Sequence, residues 1–291
     1  MFRYNYSTTI NDSLYGSITI SSIAFNPEDL ENALPSIVFS TDNLNYMFAD
    51  DSTNNDTRKK MYRRFIPNVL PAMDLDEYIT LKLSENKVFY SFLAEGILTL
   101  VYRDLYSYSL STGVIDLNET LSDTHTGVDA CMYSLEHQRI ILGEAKFYEE
   151  FESGIRSIIR DFTTNNITNK IESLHRKAIN NDESSIILRN FKTNKYDEIS
   201  LSDFLNCNIT FAGFILHSEK NIGKFANKEY YNSFPISIEQ IKQNIQSRLG
   251  VSAIRGNYEI MMVHLPIFSK KQLILSTINK AQDELNRIVR R

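Results

Sequence analysis

A chain of 291 residues, 42% hydrophobic with six prolines and a net charge of −5, holds enough apolar sequence to bury a sizeable core, in one large domain or two modest ones. It has no run of about 18 apolar residues that would span a bilayer. Met1 to Ile10 lacks the cationic and apolar segments of a secretory leader, and Cys131 and Cys207 are too few for a disulfide framework and carry no metal-ligand spacing. These features point to reduced thiols in a cytoplasmic protein.

The charge is unevenly spread. Residues 1–57 hold one cation, Arg3, against eight acids, a net of −7, which leaves the rest of the chain at +2. Basic clusters follow at Arg58, Lys59, Lys60, Arg63 and Arg64 and at Lys270, Lys271, Arg287, Arg290 and Arg291. Such clusters can track phosphates or simply be solvated surface charge.

Along the chain, residues 1–75 alternate short apolar or aromatic runs (Ile18 to Phe25, Ser36 to Ser40) with Asn/Asp/Ser loops, the strongest being Asp50 to Thr57. Residues 1–85 read as an accessory region, a candidate for partner binding, and 86–291 as the chemical domain. Val88 to Tyr106 has helical periodicity. Two strand-like runs follow, Gly127 to Tyr133 and Arg139 to Tyr148, joined by a short polar turn. Phe151, Ile155, Ile158, Ile159 and Phe162 then mark an amphipathic helix with Arg156 and Arg160 on its other side. Ile209 to His217 reads as a buried strand, Ile238 to Arg248 as a helix and Tyr258 to Leu265 as a strand. Ser269 is placed to cap a last helix that reaches Val289. This order suits an α/β fold, a mixed sheet with helices on both faces.

The hairpin carries the chemistry. Residues two apart on a strand share a face, so Glu144 and Lys146 point one way and Ala145 the other. Ile140 and Leu142 lie deeper on the Glu144 face, which puts the charges where an apolar strand emerges. Asp129 can then lie opposite Glu144. Two carboxylates held together repel unless a cation lies between them, and oxygen ligands favour Mg²⁺ or Mn²⁺. The Ala145 carbonyl is a natural further ligand. A metal there polarises a phosphoryl oxygen and activates water, and Lys146 neutralises charge developing on the phosphate. The pattern is that of a phosphodiester-cleaving enzyme; the plain alternative is a hairpin salt bridge. A second Glu-x-Lys, Glu85-Asn86-Lys87, lies in a turn-like stretch with no strand aspartate before it.

Glu95 is the only charge between Val88 and Tyr102. A lone carboxylate on such a helix needs a partner, which a metal supplies, or else an exposed stripe shared with Thr99 and Tyr102. His125 precedes Asp129 in a Thr-His-Thr-Gly turn, where it is a phosphate contact or a solvated loop histidine. Arg156 and Arg160, with Lys59 and Arg63, are candidate contacts to a nucleic-acid backbone. Glu152, four residues before Arg156, equally fits a helix-surface pair. The chain has no Gly-x-x-x-x-Gly-Lys loop and no dinucleotide-binding glycine pattern, so ATP hydrolysis by the chain itself is not expected.

The strings Gly127-Val128-Asp129 and Leu142-Gly143-Glu144-Ala145-Lys146-Phe147-Tyr148 resemble the PD-(D/E)XK nuclease superfamily over roughly Val88 to Leu265. Val128 stands at the position of the superfamily's proline, away from the metal ligands. With the helix bearing Ile155 and Arg156, the same strings look more narrowly like the HamA family, nuclease subunits of the Hachiman bacterial anti-phage defence system. The resemblance implies a restriction-endonuclease-like core with Asp129, Glu144 and Lys146 as the active site and Glu95 as the first-helix glutamate. It also implies DNA as substrate and a superfamily 2 helicase partner, HamB-like, with the acidic first 57 residues binding that helicase or shielding the site. Two other readings stay open: a catalytically silent nuclease fold serving as an interaction subunit, and a stand-alone restriction-type endonuclease. Nothing in the chain resembles a base-reading helix or finger.

Overall fold

The structure, a computed structural model, describes residues 2–12, 16–25, 30–48, 55–56, 58–59, 62, 87–110, 129–134, 136–137, 139–161, 208–226 and 258–290. The strands are β1 (Phe2–Asp12), β2 (Gly16–Phe25), β3 (Ser109–Leu110), β4 (Ala130–Ser134), β5 (Arg139–Tyr148), β6 (Asn208–Ser218) and β7 (Tyr258–Ile267). The helices are α1 (Leu30–Val38), α2 (Thr41–Phe48), α3 (Lys87–Tyr106), α4 (Phe151–Asp161) and α5 (Lys270–Val289), with a short 3₁₀ turn at Ile222–Ala226. The expected helix at 238–248 lies outside the described residues.

The seven strands among the described residues form one mixed sheet in the order β1-β2-β7-β6-β5-β4-β3. β5, β6 and β7 run parallel at its centre. Buried on both faces, they read as near-continuous apolar runs, as parallel strands do. The hairpin β4–β5 flanks them antiparallel on one side. On the other, the hairpin β1–β2 joins through parallel pairing of β2 with β7, so the N-terminal strands extend the same sheet.

The two faces hold different cores. Ile141, Ala145 and Phe147 of β5, with Ala212, Phe214 and Leu216 of β6, pack with Leu93, Ala94, Ile97 and Leu98 of α3 and Leu273, Ile274 and Ile278 of α5. The alternate residues Ile140, Leu142, Phe211 and Ile215 are also buried and lie on the α4 face, where α4 supplies Phe151, Ile155 and Ile158. The period-2 alternation of each strand thus feeds two helical layers. Ser269 caps α5, its hydroxyl accepting from the Gln272 N–H at 3.2 Å. Glu31 of α1 fixes the entry to that helix, accepting at Oε1 from the N–H groups of Phe268 (2.6 Å) and Ser269 (3.1 Å).

Candidate active site

β5 outruns its partner. The last β4–β5 pair is Ala130 with Gly143, whereas pairing with β6 continues through Tyr148. The segment Glu144–Tyr148 therefore has its β4-side edge beyond the ladder, and Asp129 stands at that point. The Ala145 N–H donates to Asp129 Oδ2 at 2.7 Å. In an extended strand the N–H and C=O of one residue face the same edge, so the Ala145 carbonyl shares that edge with the carboxylate. The hairpin geometry expected from the sequence is present.

Glu144 and Lys146 lie on the α4 face. Glu144 is 5% exposed, and a buried carboxylate needs charge-assisted partners. Lys146 Nζ lies 3.4 Å from Glu144 Oε2 and 2.8 Å from Asp161 Oδ2 at the end of α4. Asp161 is the residue that motif reading missed. The signal for it is positional: it falls three residues after Ile158, on the stripe that α4 turns toward the sheet.

Glu95 approaches from the opposite face, on α3. Burial pushes its carboxyl up to about 8, the Asp129 charge adds to the rise, and Lys146 opposes it. Thr99 and Tyr102 are fully buried, which rules out the alternative of an exposed stripe on this helix. The Thr99 hydroxyl donates to the Gly96 carbonyl at 2.8 Å, and the Tyr102 hydroxyl reaches the Gly213 and Met261 carbonyls at 3.3 and 3.2 Å. Asp129, Glu144, Lys146 and Glu95 thus gather around one stretch of β5. Among the described residues, no three His, Cys, Asp or Glu side chains close into a metal-holding group; the arrangement is the Asp129 carboxylate on the Ala145 N–H, the buried Glu144 carboxylate one residue earlier on β5, the Ala145 carbonyl and the raised Glu95 carboxyl on α3.

The proposed phosphate contacts fare differently. Arg156 has its side chain 66% exposed and pairs with Glu152 at 4.0 Å, the ordinary i,i+4 arrangement. Arg160 is also exposed, with its Nη2 3.3 Å from the Ser157 hydroxyl and its Nε 3.9 Å from Asp161 Oδ1. Lys59 pairs with Asp56 at 3.5 Å. His125 and Arg63 lie outside the described residues. In the C-terminal basic set, Arg287 pairs with Glu284 at 2.7 Å, and Lys270 lies 3.8 Å from Glu149 and over the Phe147 ring.

No helix among the described residues is long and apolar enough to cross a membrane. No curated protein matches the chain. The HamA family model matches residues 25–281, a span that contains the β4–β5 hairpin, α3 and α4. By this match the chain belongs to the HamA family, and so is a component of the Hachiman anti-phage defence system.

Proposed function

We propose that this protein is a Mg²⁺- or Mn²⁺-dependent DNA nuclease with a PD-(D/E)XK core, acting as the effector subunit of a Hachiman complex beside a HamB-like superfamily 2 helicase. The observation that carries the reading is the 2.7 Å bond between the Ala145 N–H and Asp129, which sets a carboxylate against the Glu144-Ala145-Lys146 run. The donors suit a hard divalent cation, since Asp129, Glu144, the Ala145 carbonyl and, once ionised, Glu95 are all oxygen ligands. The raised Glu95 carboxyl is compatible with the same fit: burial first and the Asp129 charge second hold it protonated, and a cation would favour its ionised form.

When bound, such a cation supplies Lewis-acid polarisation of a phosphoryl oxygen and a water of lowered pKa. The chain's own groups do the rest. The Ala145 N–H fixes Asp129, and the sheet fixes Glu144. Lys146 offers a positive charge to the phosphate as water adds in line to phosphorus and the ester oxygen leaves. The parallel strands and the two helical layers hold these groups on rigid elements.

The test is cleavage of plasmid DNA with Mg²⁺ by the protein purified free of any helicase. Wild type is expected to nick or degrade the DNA, and Glu144→Ala and Lys146→Ala to abolish this. Activity that survives both substitutions overturns the site assignment. The second reading, a catalytically silent interaction subunit, draws on the carboxylates not closing into a group of three. Calorimetry with Mn²⁺ separates the two, because a silent subunit has no metal site that Glu144→Ala removes.

A further inference from the structure

We propose that Asp161 is the positioning residue for Lys146, holding its ammonium at the site through an ion pair made from α4. This rests on the nuclease reading above. A lysine ends in a mobile point charge on a four-carbon stem and loses about 2 kcal/mol of rotamer entropy when fixed, so a lysine that must meet a phosphate needs a firm counter-ion. Two carboxylates flank this one, and Asp161 is the nearer, at 2.8 Å against 3.4 Å for Glu144.

The helix is locked in register with the strands that carry the site. Ile158 packs against Gly213, which pairs with Glu144, and Gly154 packs against Ile215, which pairs with Lys146. Asp161 continues the same stripe, so the sheet packing of α4 determines where its carboxylate lies. The division of labour follows from chemistry. Glu144 is the buried carboxylate on the motif, whereas Asp161 is 30% exposed and sits on a different element. With Asp161 as counter-ion, Glu144 can turn its oxygens to a cation without leaving the ammonium isolated. Arg160 Nε, 3.9 Å from the other Asp161 oxygen, leaves Oδ2 directed at Lys146.

The experiment compares plasmid cleavage by the full chain with Mg²⁺ for wild type, Asp161→Asn and Asp161→Glu, and urea unfolding without metal for wild type, Asp161→Asn, Lys146→Met and the double variant. Asp161→Asn is expected to lower kcat on the order of ten- to a hundred-fold, as loss of outer-shell support does, with KM within about two-fold, and Asp161→Glu to recover part of the loss. In unfolding, the shift of the double variant is expected to fall short of the sum of the singles. An Asp161→Asn protein with wild-type kcat, or with its loss confined to KM, overturns the proposal. Additive unfolding shifts also overturn it, because the pair then does not exist in solution. If wild type cuts no DNA while the unfolding shifts remain coupled, the nuclease reading fails, and the pair is an ion pair with no positioning role.

Discussion

The Asp129 carboxylate takes up the Ala145 N–H at the point where the β4–β5 ladder ends, at 2.7 Å. One side chain thereby both closes the strand's hydrogen bonding and presents an anion beside Glu144. The two roles separate by substitution. Asp129→Ala leaves the N–H of a residue only 6% exposed without this acceptor, a loss of about 1–3 kcal/mol. Asp129→Asn keeps an oxygen acceptor and is expected to lose less than half of that, while both variants lose Mg²⁺-dependent cleavage. Urea unfolding alongside the cleavage assay checks this. Equal destabilisation by the two substitutions means that the hydrogen bond is not what Asp129 adds to the fold.

Glu95 sets a pH dependence of known sign. Its folded pKa is raised to about 8 from 4.5, by burial first and the Asp129 charge second. Between these values the folded protein binds more protons than the unfolded chain, so this group's contribution is full below pH 4.5 and is lost as pH rises through 8. Glu95→Gln removes the dependence. The Tm of the variant is expected to gain on wild type from pH 6 to pH 9, and Mg²⁺ to narrow the difference by stabilising the ionised carboxylate of wild type. Parallel Tm curves across that range would show that the carboxyl is not perturbed in solution.

Elements with a marked local pattern are legible in the amino-acid order alone. α4 shows an amphipathic period, α3, β6 and β7 are apolar runs that match their burial, and Ser269 announces α5 through its capping chemistry. The candidate site is legible in the same way, because Asp129 stands immediately before β4 and the Glu-x-Lys lies on β5, the two strands of one hairpin. What the sequence conceals depends on non-local pairing. β2, rich in Ser and Thr, pairs with β7 some 240 residues later, Ser17 with Glu259 and Ser22 with His264, and no local pattern encodes that choice. α1 has Pro35 inside it, a residue that reads as a break until tertiary packing is known. Asp161 belongs to no motif and gains its role only when α4 lies against β5.

A second pH effect has the opposite sign. His217 Nε2 and His264 Nδ1 lie 3.0 Å apart, buried between Phe151 and Phe225, with His264 stacked on Phe151 at 4.0 Å between ring centres. Burial lowers His217 to about 4, with a backbone hydrogen bond at Ser218 and the Glu219 charge opposing and Lys224 adding to the shift, and burial also holds His264 well below 6.5. Both rings are neutral in the fold. Between pH 6.5 and 4 the unfolded chain binds more protons, so this contribution is full above 6.5 and is lost as pH falls toward 4. Replacing both histidines with phenylalanine removes the polar pair together but also the hydrogen bond to the Ser218 backbone, and is expected to cost about 1 kcal/mol at pH 7.5. The stability of this variant relative to wild type is expected to rise steadily from pH 6.5 to 4.5 in urea titrations. A constant difference would show that the pair carries no linked protons.

Gly154 tests whether α4 must lie tight on the sheet for the site to work. A Cβ added there would stand 2.5 Å from Ile215 Cγ2, on a β-branched, fully buried side chain with little room to turn. Gly154→Ala therefore forces α4 away from β6. Overpacking of this kind costs about 1–3 kcal/mol, partly offset by about 1 kcal/mol from the better helix propensity of alanine. The displacement acts at the far end of α4, where Asp161 meets Lys146. Gly154→Ala is thus expected to unfold at slightly lower urea and to lose several-fold in kcat. Ile215→Ala, which removes the Cγ2 that the new methyl meets, is expected to restore part of kcat in the double variant and to leave it more stable than the sum of the singles predicts. The cleavage assay and urea unfolding of the singles and the double decide it: recovery of stability without recovery of kcat would separate the seating of α4 from the placement of Lys146.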